Sequence, residues 1–239
     1  MKNFNIIQKI SFTQKAIEKI SYWYKLFYLR DRATIAYSDW LKAKGDKDLR
    51  MNHNLNADNI VFSVGGFMGN FAYDINFKYG CKVFLFEPVN EYYEVCVNRF
   101  VDNKKINLYN VAISDKDCET IMVIDGNASA LHIKEGSSKK IQKVIVRSFA
   151  SLYCELRRDH ALLNIDLMEI NIEGAEYALI KHIIEIGLLA NINALQIQFH
   201  DFFPEANALR NELRILLKRT HHEKWCFPFC WELWIKSDS

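Results

Sequence analysis

The sequence predicts an α/β fold: a doubly wound, mostly parallel seven-stranded sheet with a terminal antiparallel hairpin and an N-terminal helical extension. Three observations support this class. Short apolar runs alternate with segments of helical length, most runs stop abruptly at glycine or at a polar residue, and two apolar segments flank Pro228 near the C-terminus. Strand–helix–strand units of this length form parallel sheets with right-handed crossovers. In such sheets the abrupt stops fall at the carboxyl ends of the strands, where ligands bind.

The chain of 239 residues is long enough for one large domain with an appendage. The formal charge of +2 is unevenly spread, because residues 1–50 carry a net charge of +6 and the remainder a net charge of −4. We therefore predict a basic helical extension over residues 1–55 and a single α/β domain over residues 56–239. Near-neutral charge and the lack of a basic groove pattern argue against a nucleic-acid partner.

Six scattered cysteines, several of them inside apolar runs, suggest reduced and buried thiols more than a disulfide framework. No apolar stretch reaches the roughly 18 to 20 residues that cross a bilayer. Lysines interrupt the apolar core that an N-terminal signal peptide would need. The sequence therefore predicts a cytoplasmic protein.

The first predicted element is an amphipathic helix over residues 4–29, where apolar residues recur at three-, four- and seven-residue spacings. We favour a helix that packs on the domain. The alternative is a helix that contacts a membrane surface or a partner protein, with basic residues along its polar edge. The sequence does not separate the two, and it does not define the oligomeric state.

The alternating pattern begins at residue 60. Short β-rich apolar runs are predicted as strands, and longer segments that follow a glycine or a polar stop are predicted as helices. The strands are expected at 60–64, 83–86, 107–113, 120–124, 143–146, 167–172, 195–199, 225–227 and 230–235, and the helices at 71–79, 91–100, 177–186 and 205–220. The alternation of strands and helices is interrupted at the strands 120–124 and 143–146, which flank a loop rich in Gly, Ser and Lys over residues 126–140. This insertion is expected to overhang a ligand site.

Two of the strand ends together predict a nucleoside cofactor. Gly65, Gly66 and Gly69 follow the strand 60–64, and glycine lets the backbone turn sharply with a ligand close by. Glu87 ends the next strand about twenty residues later, where a carboxylate can accept both ribose hydroxyls. Taken alone, the glycines could equally shape a turn, and an isolated Glu could be a solvated loop residue. A nicotinamide cofactor would favour a full G-x-G-x-x-G and a P-loop needs Gly-Lys-Ser/Thr, so we interpret the pair as a site for S-adenosylmethionine.

The chemistry of the site is expected from two further strand ends. Asn171, Glu173 and Glu176 follow the strand 167–172, and His200 and Asp201 follow the strand 195–199. Because its unperturbed pKa is about 6.5, a histidine at this edge suits a general base, with Glu173 or Asp201 as less favoured candidates. The two glutamates could instead be first-turn acids that the helix dipole favours, and His200 could satisfy only backbone groups.

A zinc site is not expected. His221, His222, Cys226 and Cys230 lie near one another in sequence, but their spacing does not match the usual CxxC or HxxxH pairs. Aromatic residues surround both cysteines, as they would surround buried thiols. We predict no metal site.

The segment from residue 170 to 176, Ile-Asn-Ile-Glu-Gly-Ala-Glu, resembles the Lys-Ile-Asp-x-Glu-Gly-Ala-Glu block of the FkbM-type methyltransferase family, a family of class I S-adenosylmethionine-dependent enzymes with Rossmann-like sheets. The resemblance extends over residues 60–235, about three-quarters of the chain. It is also carried by Phe86-Glu87-Pro88, by residues 110–114, by residues 196–202, and by Thr220-His221 together with residues 228–232.

The resemblance implies an O-methyltransferase that acts on a sugar hydroxyl, in members associated with bacterial surface-glycan biosynthesis. It implies that Gly65 and Gly69 approach the methionine part of the cofactor and that Glu87 binds the ribose. Ala112 and Ser114 would line the adenine, while Asn171 and Glu173 would face the methyl-transfer zone. A saccharide or glycan precursor would be the substrate.

Three residues depart from the family pattern. Ser63 stands where the family usually has Asp, Glu169 replaces the usual Lys, and Asn171 stands where most members have Asp. Loss of the acid at position 171 argues against a divalent cation, which prefers several carboxylate oxygens. The departures at positions 63 and 169 motivate an alternative function: a catalytically weak or inactive methyltransferase-like scaffold or binding protein in a glycan-assembly complex.

Overall fold

The computed structural model describes residues 17–124, 140–162 and 164–238. Ten strands are described: β1 Ile60–Val64, β2 Lys82–Phe86, β3 Ile106–Tyr109, β4 Ala112–Ser114, β5 Cys118–Ile124, β6 Lys140–Ser148, β7 Leu167–Ile170, β8 Ala194–Ile197, β9 His221–Phe227 and β10 Trp231–Lys236. Residues 17–24 form the α-helix α1, which continues into a π-helical turn at Lys25–Leu29. The other helices are α2 Arg32–Lys42, α3 Asn70–Tyr79, α4 Asn90–Phe100, α5 Phe149–His160, α6 Glu176–Glu185 and α7 Ala206–Leu217, with a 3₁₀ turn at Leu188–Asn191.

The main sheet confirms the predicted fold class. Its seven strands run in the order β3-β2-β1-β7-β8-β10-β9. The pairs from β3 to β8 are parallel, whereas β10 pairs antiparallel with both β8 and β9. The C-terminal hairpin is therefore part of the sheet edge, as the segments around Pro228 predicted.

Helices cover both faces of the sheet because side chains alternate along each strand. Phe62, Phe84 and Met168 point to one face, where they pack with apolar side chains of α5, α6 and α7. Val61, Val83 and their neighbours point to the other face, where they pack with α3 and α4. Because both faces of the main sheet are buried, the sequences of its strands are continuous apolar runs.

One predicted strand was wrong. The segment 107–113 forms two strands in different sheets: β3 lies in the main sheet, while β4 joins β6 and β5 in a separate three-stranded sheet. The side chain of Asn110 donates to the backbone oxygens of Glu87 and Pro88, at 3.0 and 3.3 Å. These bonds tie the chain to the end of β2, so it turns away from the sheet there. The predicted overhanging loop falls mostly on residues 125–139, which lie outside the described residues.

The helix α5 was not predicted from the sequence. Its buried residues Phe149, Leu152, Tyr153 and Leu156 follow a helical spacing, and the Ser148 side chain accepts a hydrogen bond from the Ser151 backbone N–H. Both are ordinary signals of a helix and its N-cap.

The N-terminal extension has two parts that behave differently. Residues 32–53 pack on the domain: Trp40 is 2 % exposed and its ring lies 5.6 Å from the Trp225 ring and 5.3 Å from the Phe227 ring. In α1 and its π turn, by contrast, the apolar side chains are exposed, with Ile20 and Phe27 each at 69 %. The favoured interpretation, a helix packed on the domain, is therefore wrong for residues 17–29. Among the described residues, no helix is long and apolar enough to cross a membrane.

We expect Trp40→Ala to lower the free energy of unfolding by about 3–5 kcal/mol, because it deletes a fully buried ring and leaves a cavity. Urea denaturation of the full chain measures this change. Trp23→Ala is the matched control, since Trp23 is 47 % exposed and an exposed substitution typically changes stability by less than about 0.5 kcal/mol. Equal losses in the two variants would show that residues 32–53 do not form part of the folded domain.

Candidate functional site

The candidate site lies where the direction of strand order reverses. From β1 the chain builds outward to β2 and β3 on one side, while β7 and β8 lie on the other. In an open α/β sheet, ligands bind at the carboxyl ends of the strands at such a switch point. A cavity of about 360 Å³ occupies this position, lined by Val64, Gly65, Phe67, Phe86, Glu87, Pro88, Val89, Tyr92, Val111, Ala112, Ile113, Met122, Asn171, Ile172, Glu173, Ala175 and Gln198.

The turn after β1 requires glycine at its first position. Gly65 has φ +85°, and a Cβ there would lie 2.0 Å from the backbone oxygen of Asn171. The backbone N–H groups of Gly65 and Gly66 both donate to the oxygen of Phe86, at 3.0 Å each. The loops that follow β1 and β7 therefore touch beside the cavity, and a side chain at residue 65 would separate them.

Of the three predicted glycines, Gly65 lines the cavity and the other two serve the turn. A Cβ on Gly66 would meet the Leu85 side chain at 2.4 Å, and one on Gly69 would meet the Phe100 ring at 2.5 Å. Both therefore allow close packing between the turn and its neighbours. Their predicted direct contact with the cofactor stays a prediction.

Glu87 is buried at the end of β2 and borders the cavity. Its side chain is held by the backbone: Oε2 accepts from the Phe67 N–H at 2.7 Å and Oε1 from the Val89 N–H at 2.8 Å. Burial raises the pKa of this carboxyl to about 7, although the two hydrogen bonds favour the charged form. An ionised carboxylate has about four lone-pair sites, so each oxygen keeps a site for a ribose hydroxyl.

Another part of the cavity lining is apolar and comes partly from residues that were not predicted from the sequence. Val111, Ile113 and Met122 line it together with the predicted Ala112. Ser114 does not belong to this lining; its hydroxyl donates to the Asp115 carboxylate at 3.0 Å. Met122 comes from β5 of the second sheet, so a local motif could not have identified it.

Asn171 presents an unsatisfied acceptor at the site. Its Oδ1 is buried and has no hydrogen-bond partner among the described residues. Leaving such an atom unpaired costs about 1–3 kcal/mol, and buried polar groups without a partner call for an explanation. The natural one here is a bound donor, since Asn171 lines the cavity.

The ends of β7 and β8 together form a group of one histidine and two carboxylates. His200 is 8 % exposed; its Nδ1 lies 3.2 Å from the Glu176 carboxylate and its Nε2 lies 3.5 Å from the Glu173 carboxylate. Burial alone would lower the pKa of His200, but the hydrogen bonds and charges of both glutamates outweigh it and raise the pKa to about 9. His200 is therefore an imidazolium at neutral pH.

This geometry disagrees with the base role predicted for His200. Both ring nitrogens face carboxylates, the raised pKa favours the protonated ring, and the ring does not line the cavity. Asp201 is exposed and does not line it either. Of the three predicted catalytic residues, Glu173 alone borders the cavity, from a backbone at φ +51° that a non-glycine residue rarely adopts. Such strain is common at functional sites.

Glu176 has a structural role, because its carboxylate connects two loops beside the site. It is fully buried, and its two oxygens accept from the backbone N–H groups of Gly174 and His200, both at 2.8 Å. The carboxylate thus ties the loop after β7 to the loop after β8. The alternative that it is only a first-turn acid understates this role.

The residues considered for zinc do not come together. His221 contacts the backbone oxygen of Ile192, His222 is exposed, and Cys230 packs in a separate cluster with Trp40. Glu223, Cys226 and Glu232 do lie together, but two arginines, 210 and 214, already pair with their carboxylates. All six cysteines lie in the described ranges and are free thiols.

The residues present fit S-adenosylmethionine. The cavity volume of about 360 Å³ lies within the roughly 300–1,000 Å³ typical of ligand pockets. Glu87 offers acceptors for ribose hydroxyls, the apolar wall suits a base ring, and Asn171 offers an unpartnered acceptor. Gly65 lets the backbone approach closely.

The raised pKa of Glu87 predicts a pH-dependent stability. Its ordinary value of 4.5 rises to about 7 in the fold, so the folded state binds this proton more tightly than the unfolded chain. The stabilisation is complete below the lower pKa and is lost as pH rises through the higher one. Between pH 5 and 7.5, the free energy of unfolding of the wild type should therefore fall relative to Glu87→Gln, by at most about 3 kcal/mol.

Urea denaturation at several pH values measures this difference. Glu94→Gln on the exposed face of α4 is the control and should run parallel to the wild type. A Glu87→Gln curve that also runs parallel would contradict the buried, proton-binding carboxyl.

Comparison with known proteins assigns the family. The model of the methyltransferase FkbM domain matches residues 59–222. No curated protein matches the chain in sequence. Among solved structures, the Methanococcus jannaschii fibrillarin pre-rRNA processing protein is 9 % identical, with 79 % of this chain and 70 % of that chain covered and a TM-score of 0.46.

Two further structures are similar at the same level. Aeropyrum pernix fibrillarin, crystallised with natively bound S-adenosyl-L-methionine, is 10 % identical, with 77 % and 67 % covered and a TM-score of 0.43. A putative rRNA methylase from Clostridium thermocellum is 10 % identical, with 83 % and 96 % covered and a TM-score of 0.47. Likenesses at this level identify neither substrate nor site residues. The family match spans more than half of the chain, and the chain therefore belongs to the FkbM family of S-adenosylmethionine-dependent methyltransferases.

Proposed function

We propose that this methyltransferase methylates a hydroxyl group of a saccharide or glycan precursor in bacterial surface-glycan biosynthesis. The observation that carries the proposal is the position of Glu173, a carboxylate that borders the cofactor cavity and can accept a hydroxyl proton. A net charge of +2 supports a substrate that is not a polyanion. Six free thiols are consistent with action in the reducing cytoplasm.

The chain's residues have separate tasks in this mechanism. Glu87 holds the ribose, Asn171 accepts from the cofactor, and the apolar wall holds the base ring. When bound in this site, S-adenosylmethionine would supply an electrophilic methyl group for the acceptor oxygen, with its sulfur as the leaving group. Glu173 takes the proton that the hydroxyl loses. Holding the reacting groups in line supplies much of the rate in such a displacement.

His200 acts on Glu173 and not on the substrate. Its ring lies between Glu173 and Glu176, so it holds the Glu173 carboxylate in place. Glu176 in turn fixes the His200 backbone. This arrangement replaces the predicted His200 base with a carboxylate base and a histidine that positions it.

The alternative function, a weakly active scaffold, rested on Ser63 and Glu169. In the fold these residues contact each other: the Ser63 hydroxyl donates to Glu169 Oε2 at 3.1 Å, and Arg50 pairs with Glu169 Oε1 at 2.8 Å. The buried carboxylate at position 169 is thus satisfied within the domain. This compensation favours the enzyme over the scaffold.

The test is transfer of an isotopically labelled methyl group from S-adenosylmethionine to monosaccharides, nucleotide sugars and glycan fragments. We expect an O-methyl product, which mass spectrometry and NMR of the isolated sugar would identify. Glu173→Gln should lower turnover by about 100-fold or more, as loss of a general base does, while affinity for S-adenosylhomocysteine stays within about twofold. His200→Ala should also lower turnover more than cofactor affinity.

Glu94→Gln is the matched control and should keep full turnover. Full turnover in Glu173→Gln would remove that residue from the mechanism. Tight cofactor binding with no product from any saccharide would favour the scaffold function.

We further propose that α1 and its π turn contact an anionic membrane surface. Trp23, Tyr24 and Phe27 are exposed there, and the first 50 residues carry a net charge of +6. Exposed aromatic side chains beside basic residues suit the boundary of a bilayer.

Co-sedimentation of the full chain with vesicles tests this contact. We expect binding to vesicles that contain phosphatidylglycerol and weaker binding to pure phosphatidylcholine. The double variant Trp23→Ala/Phe27→Ala should reduce binding, whereas Phe77→Ala, which removes an 80 % exposed ring from α3, should not. Absence of binding to either vesicle, or equal losses in both variants, would contradict the proposal.

A further inference from the structure

A second cavity adjoins the first. Its volume is about 270 Å³, and it shares Gly65, Phe67 and Asn171 with the cofactor cavity. Its remaining wall includes residues that precede the predicted domain boundary, among them Asp46 and Arg50. The N-terminal extension thus completes a space that continues from the cofactor site.

Arg50 is fixed in this wall by several contacts. Its Nη2 donates to the buried Glu169 carboxylate at 2.8 Å, and its Nη1 donates to Asp46 at 3.1 Å. The guanidinium carbon lies 4.1 Å from the centre of the Trp231 ring. The side chain is only 19 % exposed, so the guanidinium is held in place before any ligand arrives.

Two polar atoms in this cavity wall lack partners, and they have opposite hydrogen-bonding character. Arg50 Nε is a buried donor and Asn171 Oδ1 a buried acceptor, and neither has a partner among the described residues. An α-amino-acid group supplies what both need, because its carboxylate accepts and its ammonium donates. Asp46 and Asp74 line the same cavity and favour an ammonium nearby, while the guanidinium favours a carboxylate.

We propose that Arg50, brought by the N-terminal extension, binds the α-carboxylate of the amino-acid end of the cofactor, while Asn171 accepts a hydrogen bond from its ammonium. This inference rests on the assignment of the cofactor site. It also explains Ser63 and Glu169: with an acid on β7 in place of the usual Lys, Arg50 supplies the positive charge from another segment. The extension is then part of the cofactor site and not an independent appendage.

The test compares a complete ligand with a truncated one by titration calorimetry of the full chain. S-adenosylhomocysteine carries the amino-acid group, whereas 5′-methylthioadenosine keeps the nucleoside and lacks that group. We expect Arg50→Met to weaken S-adenosylhomocysteine binding by about 10- to 100-fold, as loss of a charge-assisted hydrogen bond does. Binding of 5′-methylthioadenosine should change by less than about twofold, and Glu87→Ala should weaken both ligands because both contain the ribose.

Two further variants separate the ligand contact from folding. Arg50→Met leaves the buried Glu169 without its cation, so Arg50→Met/Glu169→Gln removes that unpaired charge and should show the same ligand-selective loss. Glu169→Gln alone keeps Arg50 and an oxygen that accepts from it, so it should bind S-adenosylhomocysteine more tightly than either variant that lacks Arg50. Arg158→Met, at an exposed arginine of α5 that pairs with Asp159, is the control and should bind both ligands as the wild type does.

The outcomes are distinct. Equal weakening of both ligands by Arg50→Met and by the double variant, or no weakening of either, would overturn the role of Arg50 and leave the cofactor site intact. Failure of the folded wild type to bind either ligand would instead overturn the cofactor site itself, and the inference with it.

Discussion

The central constraint of this structure is the parallel pairing of β1 with β2 on one side and β7 on the other. Parallel pairing brings the carboxyl ends of all three strands to the same edge, and the reversal of strand order opens a crevice there. Gly65 then allows the loop after β1 to touch the backbone of Asn171. Cavity, cofactor acceptors and candidate base all follow from this one arrangement, since each lies directly after one of these strands.

Three buried carboxylates, Glu87, Glu169 and Glu176, lie in or shortly after β2 and β7, and their partners decide what each can do. Glu87 is held by two backbone N–H groups, which do not offset its burial, so its pKa rises to about 7. Glu169 pairs with a guanidinium and a hydroxyl, yet burial still raises its pKa. Glu176 faces His200, whose pKa rises to about 9. Neutral backbone donors thus leave Glu87 able to titrate near neutrality, whereas His200 carries a full charge that orders the loops beside it.

Much of the fold could be predicted because its signals are local. A few consecutive residues are enough to recognise the apolar runs of β1 and β2, the glycine turn after β1 and the segments around Pro228. The division of the segment 107–113 could not be predicted, because it depends on Asn110 contacting the end of β2. The same limit applies to the site. Glu87 and Asn171 end strands and were recognisable, whereas Met122 comes from a separate sheet and Arg50 pairs with a residue 119 positions away.

The departures from the family pattern show why such residues have to be judged in the fold. Considered separately, Ser63 lacks the acid that is usual at its position, and Glu169 lacks the cation that is usual at its position. In the structure they form one hydrogen-bonded pair that requires a cation, and Arg50 meets that requirement from the N-terminal extension. Breaking a buried ion pair by removing one partner costs about 3–5 kcal/mol, so Glu169 and Arg50 depend on each other. Trp40 holds the same extension on the hairpin of β9 and β10. Because Ser63 in β1 and Glu169 in β7 depend on Arg50, residues 32–53 are a structural requirement of the domain. The helix α1 buries no apolar face of its own and remains available for a separate contact.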